Sequence, residues 1–155
     1  MRRITATVCL VFFSALAHGG EANLRFAKWF QIPGRQEVVT VTEGDFEPRS
    51  IGSYALRVYG GAAKKSPTDD FIAGAIRPRN GVIEAVKFAS LSGAEAPEIV
   101  VIIRSVGSGG YLSADAFRYR DRALDWLVTV SDLDKAADPI GALRDKFKVS
   151  AERKG

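Results

Sequence analysis

Apolar and polar residues alternate along most of this chain, which predicts a series of short β-strands. Residues 99–103 depart from this alternation because they are apolar throughout, and such a run indicates a central strand covered on both faces. Further strands are predicted at residues 37–42, 54–59, 71–76, 82–88, 112–119 and 124–130. The side chains predicted to share one face of their strand are Tyr54, Leu56 and Val58, then Val82, Val86 and Phe88, and finally Leu124, Trp126, Val128 and Val130.

Turn-forming residues separate these strands, and one helix follows them. The dipeptide Asn80-Gly81 is typical of a two-residue hairpin turn, and residues 120–122 form a second tight turn. Asp138 is suited to cap a helix that begins at Pro139. The apolar stripe of that helix consists of Ile140, Leu143 and Phe147. Seven or eight short strands followed by one helix predict a mainly β domain, an antiparallel β-sandwich or barrel.

Residues 1–17 are predicted to be a secretory signal peptide. Arg2 and Arg3 form its basic start, and residues 4–16 are mostly apolar but shorter than the roughly 20 residues of a membrane span. Residues 15–17 match a small-residue cleavage site, so we expect Sec-dependent export of a mature chain that begins near His18. The predicted organisation continues with an N-terminal arm at residues 18–35, a single β domain at 36–149 and a polar tail at 150–155.

Cysteine usage and charge restrict the classes of partner. Cys9 is the only cysteine and lies within the predicted signal, where its neighbours do not match a lipoprotein cleavage site, so neither a disulfide nor a lipid anchor is expected. Without Arg2 and Arg3 the mature chain has 20 basic and 18 acidic residues, a net charge of +2. The basic residues are scattered rather than gathered in a stripe, which argues against a nucleic-acid partner. No later segment is apolar enough to span a membrane, and we expect a soluble exported protein.

The segment with the clearest candidate chemistry is the glycine-serine loop, residues 105–111, between two apolar strands. An ordinary hairpin turn needs about two to five residues, whereas this loop combines glycines, the hydroxyls of Ser105 and Ser108, and the aromatic ring of Tyr111. Tyrosine is a frequent anchor at interfaces, and glycines such as Gly109 and Gly110 allow a partner to approach the backbone closely. The composition also fits a merely long connection, but Tyr111 beside Ser108 favours a loop that enters the cleft of a partner.

Enzymatic chemistry is not favoured by the residues. Apart from His18 the chain has no histidine, so a nucleophilic Ser105 or Ser108 would lack the usual general base. A phosphate-binding loop needs a Lys-Ser/Thr pair that opens a helix, and residues 111–113 open a strand instead. We therefore expect no catalytic residues and no cofactor.

Two further segments are best explained by ordinary structural roles. Residues 90–100 have the rhythm of a calcium loop, but Ser90 and Ser92 stand where carboxylates would be needed, so an ordinary polar turn is favoured and no metal is expected. The arginines at positions 118, 120 and 122 are most simply a solvated face, with the rim of an interface for an acidic partner as the alternative. Arg118 and Arg120 point to the same side of their strand, opposite Phe117 and Tyr119.

Residues 42–143 resemble the periplasmic inhibitors of I-type (invertebrate-type) lysozyme. The resemblance rests on residues 43–54 (EGDFEPRSIGSY), 70–74 (DFIAG), 97–101 (PEIVV) and 104–114 (RSVGSGGYLSA). It implies an antiparallel β fold, a periplasmic location and a loop that inserts into the active-site cleft of the lysozyme. A serine and a tyrosine three positions apart are the key residues of that loop, and they correspond here to Ser108 and Tyr111. The turn at residues 90–96 lacks acidic residues that are common in relatives, with serines at positions 90 and 92, which puts ion binding in doubt rather than inhibition.

The function implied by this resemblance is inhibition of peptidoglycan hydrolysis by an I-type lysozyme. Ser108 and Tyr111 would bond the two carboxyl groups of the cleft, while the loop amides and Arg104 would favour their ionised form. The residues expected to contact the lysozyme are Arg104, Ser105, Ser108, Gly109, Gly110 and Tyr111. The resemblance also allows a homodimer. An exported module that uses the same loop to bind a glycan or another protein, and a purely structural envelope protein, stay open as alternatives.

Overall fold

Two four-stranded antiparallel sheets pack face to face in a computed structural model that describes residues 25–61 and 69–152. The first sheet contains β1 (Ala27–Gln31), β2 (Val38–Glu43), β3 (Gly52–Tyr59) and β4 (Phe71–Arg79), and the second contains β5 (Val82–Ala89), β6 (Glu98–Arg104), β7 (Leu112–Arg120) and β8 (Ala123–Leu133). Within each sheet the strands lie in sequence order. Helix α1 (Pro139–Glu152) follows β8. Over these described residues, the predicted mainly β fold is confirmed as a sandwich of eight strands that does not close into a barrel.

Strand β6 lies at the centre of the apolar packing, as its uninterrupted apolar run predicts. Ile99, Val101 and Ile103 face the first sheet, where they meet the buried side chains of β2 and β3, including Leu56. Val100 and Ile102 face the opposite direction into a second apolar cluster beneath the helix. The domain therefore has three layers, and β6 is covered on both faces because the sheet lies in the middle.

The C-terminal helix covers the outer face of the second sheet. The Asp138 carboxylate accepts a hydrogen bond of 3.0 Å from the Ile140 backbone N–H, which confirms the predicted cap. Leu143 is fully buried in the second apolar cluster, with Ile140 and Phe147 packed at its margin. The helix continues to Glu152, two residues beyond the position at which the sequence predicted a polar tail.

The residues before position 36 contribute a strand that the sequence pattern did not predict. Ala27–Gln31 form β1, which pairs with β2 at the edge of the first sheet. Phe26 and Phe30 pack against the core, but Trp29 is 66% exposed on the outer face of that sheet. Flanking glycine and proline residues obscure the alternation of apolar and polar residues in this short segment. The predicted signal peptide, residues 1–17, and the start at His18 lie outside the described residues.

Asn80-Gly81 does not form the predicted hairpin. β4 pairs with β3 and β5 pairs with β6, so this dipeptide carries the chain from one sheet to the other. Gly81 has φ +131°, and a Cβ atom there would lie 2.1 Å from the carbonyl oxygen of Arg104. The glycine is needed because the backbone passes close to the end of β6. The turn after Arg120 does form a tight hairpin, with positive φ at both Asp121 and Arg122.

β-Bulges shift two of the predicted strand faces. Glu84 is an extra residue between the Ile83 and Ala85 pairs of β5, so Ile83 rather than Val82 joins Val86 in the core. Phe88 packs at the margin of that core, as predicted. In β8 the pairing register also shifts, opposite Ala116 and Phe117, so the side chains before and after the shift do not keep to one face.

Trp126 is therefore not a core residue, and the four apolar side chains of β8 do not share one face. Leu124 packs toward the core between the sheets, whereas Val128 and Val130 pack beneath the helix. The Trp126 ring is 49% exposed, and its indole N–H donates to the Thr129 hydroxyl at 3.1 Å. A tryptophan at the edge of a sandwich can keep one face in water while its N–H group is satisfied.

Candidate functional site

The glycine-serine loop is a closed hairpin loop that extends the central strands of the second sheet. β6 and β7 remain paired as far as Arg104 and Leu112. Beyond that pair, the Ser105 N–H donates to the Tyr111 carbonyl at 2.9 Å, and the Gly110 N–H donates to the Gly107 carbonyl at 3.1 Å. The two bonds define the base and the tip of the loop, so its exposed side chains project from a fixed support.

Tyr111 and the glycines of the loop depend on one another. The Tyr111 ring lies over Gly109, where an added Cβ atom would be 2.3 Å from the ring carbon Cε2. Gly110 has φ +56°, a left-handed conformation that glycine adopts without strain. Tyr111 is still 52% exposed, and Val106 in the same loop is 54% exposed. One face of the tyrosine is thus held against the loop while the other is available to a partner.

Arg104 supports the loop from below. Its guanidinium group donates to the Gly110 carbonyl at 2.8 Å and forms a two-point ion pair with Glu84, whose second bond joins Nη2 and Oε1 at 2.9 Å. The Glu84 carboxylate raises the pKa of the Arg104 guanidinium above its ordinary value. The bulge in β5 supplies Glu84, so a local irregularity of one strand orders the loop of a neighbouring hairpin.

The two serines of the loop have different environments. Ser108 is exposed at the tip, and its hydroxyl has no hydrogen-bond partner within the described residues. The Ser105 hydroxyl is buried at the base and also lacks a partner in that part of the chain. The structure therefore brings the predicted residues together in two groups: Ser108 and Tyr111 face solvent, whereas Arg104, Ser105, Gly109 and Gly110 shape the loop.

A second exposed loop lies at the same end of the sandwich, and the sequence pattern did not predict it as part of the site. The buried Arg79 side chain donates to the Gly81 carbonyl at 2.6 Å and to the Arg49 carbonyl at 2.8 Å, which fixes residues 44–51 beside the sheet crossover. In this loop the Phe46 side chain is fully exposed and the Ile51 side chain is 62% exposed. In the sequence, two apolar residues within an otherwise polar turn were the available signal of a contact surface. Their nearness to the glycine-serine loop could not be predicted, because it depends on long-range contacts.

A different kind of surface occupies the opposite end. The Arg118 side chain points to the face of β7 opposite that of Phe117 and Tyr119, as predicted. Its guanidinium group donates a hydrogen bond of 2.8 Å to the Glu98 carboxylate. Glu98 also accepts bonds from the Leu91 N–H and the Ser92 hydroxyl, at 2.9 and 2.6 Å. Burial raises the pKa of the Glu98 carboxyl, but its three hydrogen-bond donors outweigh burial and hold the pKa below its ordinary value.

Within residues 25–61 and 69–152, no group of three histidine, cysteine or carboxylate side chains is placed to hold a metal ion. The Glu98 carboxylate, which the sequence places at the end of the candidate calcium loop, instead holds the turn together through hydrogen bonds. No helix in the same ranges is long and apolar enough to cross a membrane.

Comparison with known proteins places this geometry in a family. A family model described as periplasmic lysozyme inhibitor of I-type lysozyme matches residues 25–147. The structure is similar to that of PliI-Ah, a periplasmic lysozyme inhibitor of I-type lysozyme from Aeromonas hydrophila, with a TM-score of 0.71 and 44% identity over 76% of this chain and 98% of that one. It is equally similar to Aeromonas hydrophila PliI in complex with Meretrix lusoria lysozyme, with a TM-score of 0.71 and 44% identity over 77% and 95% of the two chains. A comparison with curated proteins found no match.

Proposed function

The chain belongs to the family of periplasmic inhibitors of I-type lysozyme, and we propose that it blocks such a lysozyme by inserting its glycine-serine loop into the active-site cleft. Membership makes it a lysozyme inhibitor rather than an enzyme, with a lysozyme as partner and the periplasm as its location. The observation that carries the loop proposal is the supported tip, from which the exposed Ser108 and the half-exposed Tyr111 project.

The proposed mechanism is occupation of the cleft without turnover. Glycosidases of this kind present two carboxyl groups to a sugar. The Ser108 and Tyr111 hydroxyls can each donate and accept, so they can replace the sugar hydroxyls that those carboxyl groups bind. The flat Tyr111 ring occupies a saccharide subsite, and the loop contains no glycosidic bond that the enzyme could cleave.

Arg104 acts as a support in this proposal rather than as a direct contact. Its guanidinium group is already bonded to Glu84 and to the Gly110 carbonyl. Losing those bonds would release the loop, which has several glycines and would be costly to order again during binding. The expectation from the sequence is that Arg104 contacts the lysozyme and favours the ionised form of its carboxylates; for the Arg104–Glu84 pair we propose a positioning role instead.

Residues 44–51 extend the proposed contact surface. Phe46 and Ile51 are apolar, exposed and fixed at the same end of the sandwich by Arg79. Exposed apolar side chains grouped beside a binding loop are typical of an interface. We propose that they contact the rim of the cleft while the glycine-serine loop enters it.

Self-association and export are two further parts of the proposal. The outer face of the first sheet exposes Trp29 (66%) and Ile76 (72%), and a second copy of the chain is the partner that we propose for this apolar face. Light scattering of wild type and of Trp29→Glu would test the dimer, since a wild-type monomer refutes it. Mass spectrometry of the periplasmic form would test Sec processing, because cleavage at a position other than residue 17 contradicts the predicted signal.

The function is tested by titrating the purified mature protein into I-type, C-type and G-type lysozymes while cell-wall lysis is followed. We expect stoichiometric loss of the I-type activity. Cross-inhibition of the other types would show that paired carboxylates alone are sufficient for recognition. No effect on any of the three would refute inhibition, and binding of the loop to a glycan or to another protein would then be the alternative to test.

A further inference from the structure

A groove rich in cationic side chains runs along the end of the sandwich opposite the glycine-serine loop. Two adjoining cavities of about 530 Å³ each share Ser92, Gly93 and Phe147 in their walls. Together they form what we call the basic groove, between the 90–96 turn, β7 and the last turns of α1. The cationic residues that line it are Arg35, Arg118, Arg120, Arg144 and Lys148.

The positive charge of the basic groove is only partly neutralised. Within the part of the chain that the structure describes, Glu95 is the one carboxylate residue in its lining. Arg118 is paired with the buried Glu98, and Arg120 with Asp121 at its edge. Among the described residues, no ion pair involves the other three cationic side chains of the lining. In a mature chain of predicted net charge +2, this concentration of cations in one concave surface attracts anions.

The groove has a firm framework and is remote from the inhibitory end. The three hydrogen bonds to the Glu98 carboxylate hold its turn in place. Glu98 begins β6 and Arg104 ends it, so a strand of 7 residues separates the two surfaces. A strand rises about 3.3 Å per residue, which makes that separation roughly 20 Å. A ligand in the groove would leave the glycine-serine loop free.

We propose that the basic groove binds peptidoglycan through the free carboxylate groups of the peptides attached to its glycan strands. A membrane surface is a poorer match because anionic-lipid sites combine cations with exposed apolar side chains, and the large exposed apolar residues of the described chain do not line this groove. An elongated concave surface with several separate cations suits a polymer with repeated carboxylates. The choice of peptidoglycan among acidic glycans rests on the proposed function, because a lysozyme cleaves that polymer.

Binding would station the inhibitor on the substrate of the enzyme that it blocks. The test is co-sedimentation of the full mature protein with purified sacculi at about 0.15 M salt, where weak surface electrostatics are largely screened. The test variant is Arg144→Glu with Lys148→Glu. The matched control is Lys87→Glu with Lys146→Glu, which changes the net charge equally on exposed residues that line neither cavity and lie outside the proposed dimer face.

We expect the groove variant to lose at least tenfold in sacculus binding and to inhibit the lysozyme like wild type. The control variant should bind sacculi normally, and amidation of the sacculus carboxyl groups should abolish wild-type binding. Equal loss in both variants, or undiminished binding to amidated sacculi, overturns the proposal. Tighter binding to phosphatidylglycerol vesicles than to sacculi also overturns it in favour of a lipid. The Tyr111→Ala variant separates the two proposals, because it should bind sacculi fully even though inhibition is weakened.

Discussion

Truncation of Tyr111 to alanine is the sharpest test of how the loop inhibits. The side chain is 52% exposed in the free protein, so about half of its surface remains to be buried by a partner. A tyrosine buries roughly 200 Å² in all, which leaves about 100 Å² for the interface. At about 25 cal/mol per Å² this surface contributes about 2.5 kcal/mol, or roughly a 60-fold change in Kd.

The assay combines inhibition of lysis, calorimetric Kd and thermal unfolding of the same variant. Tm should change by only a few degrees, because the ring packs on its own loop and not in the core. Tyr111→Phe removes the hydroxyl alone and should weaken binding about fivefold, the effect of one net hydrogen bond of about 1 kcal/mol. Trp126→Ala, which truncates another half-exposed aromatic at the edge of the sandwich, should leave inhibition unchanged.

Inhibition by a folded Tyr111→Ala variant within threefold of wild type would refute this reasoning. An equal loss in the Trp126→Ala control would show that general destabilisation, and not a contact of the loop, accounts for the effect.

Three other substitutions test the surroundings of the loop and the opposite end. Glu84→Gln should weaken inhibition about three- to tenfold, mainly through faster dissociation, because Arg104 loses the ion pair that holds it beneath the loop; an unchanged rate would exclude the support role. Phe46→Asn should weaken binding without loss of stability, since Phe46 has φ +62° and asparagine tolerates that conformation better; a lower Tm or unchanged affinity would contradict this. Glu98→Gln should lower the free energy of unfolding at pH 7 by about 2–4 kcal/mol. Because the folded pKa of Glu98 is depressed, its contribution is complete above its ordinary pKa of about 4.5 and is lost as pH falls through the folded value. Wild type and Glu98→Gln should therefore converge in acid, and a constant difference in denaturant titrations from pH 7 to pH 3 would refute the assignment.

The sequence by itself determined the local features of this protein: strand faces, the start of the helix and the candidate binding loop. Alternation identified the interior faces of strands such as β3, because side chains two residues apart share a side. The apolar run at residues 99–103 predicted that β6 is buried on both faces, and Asp138 predicted the start of the helix. The composition of residues 105–111 and the family resemblance identified Ser108 and Tyr111 as candidate binding residues. This was possible because the loop is one continuous segment, whose residue types can be interpreted without knowing what packs around it.

Tertiary structure alone decided which distant residues meet. The bulge at Glu84 shifted the face of β5 and brought a carboxylate to Arg104, and the crossover at Gly81 joined two sheets where the local dipeptide favoured a hairpin. The basic groove draws on residues from position 35 to position 148. Local periodicity reports which face of a strand is buried, but strand pairing, bulges and surface charge depend on contacts between segments far apart along the chain, and those form only when the sheets pack.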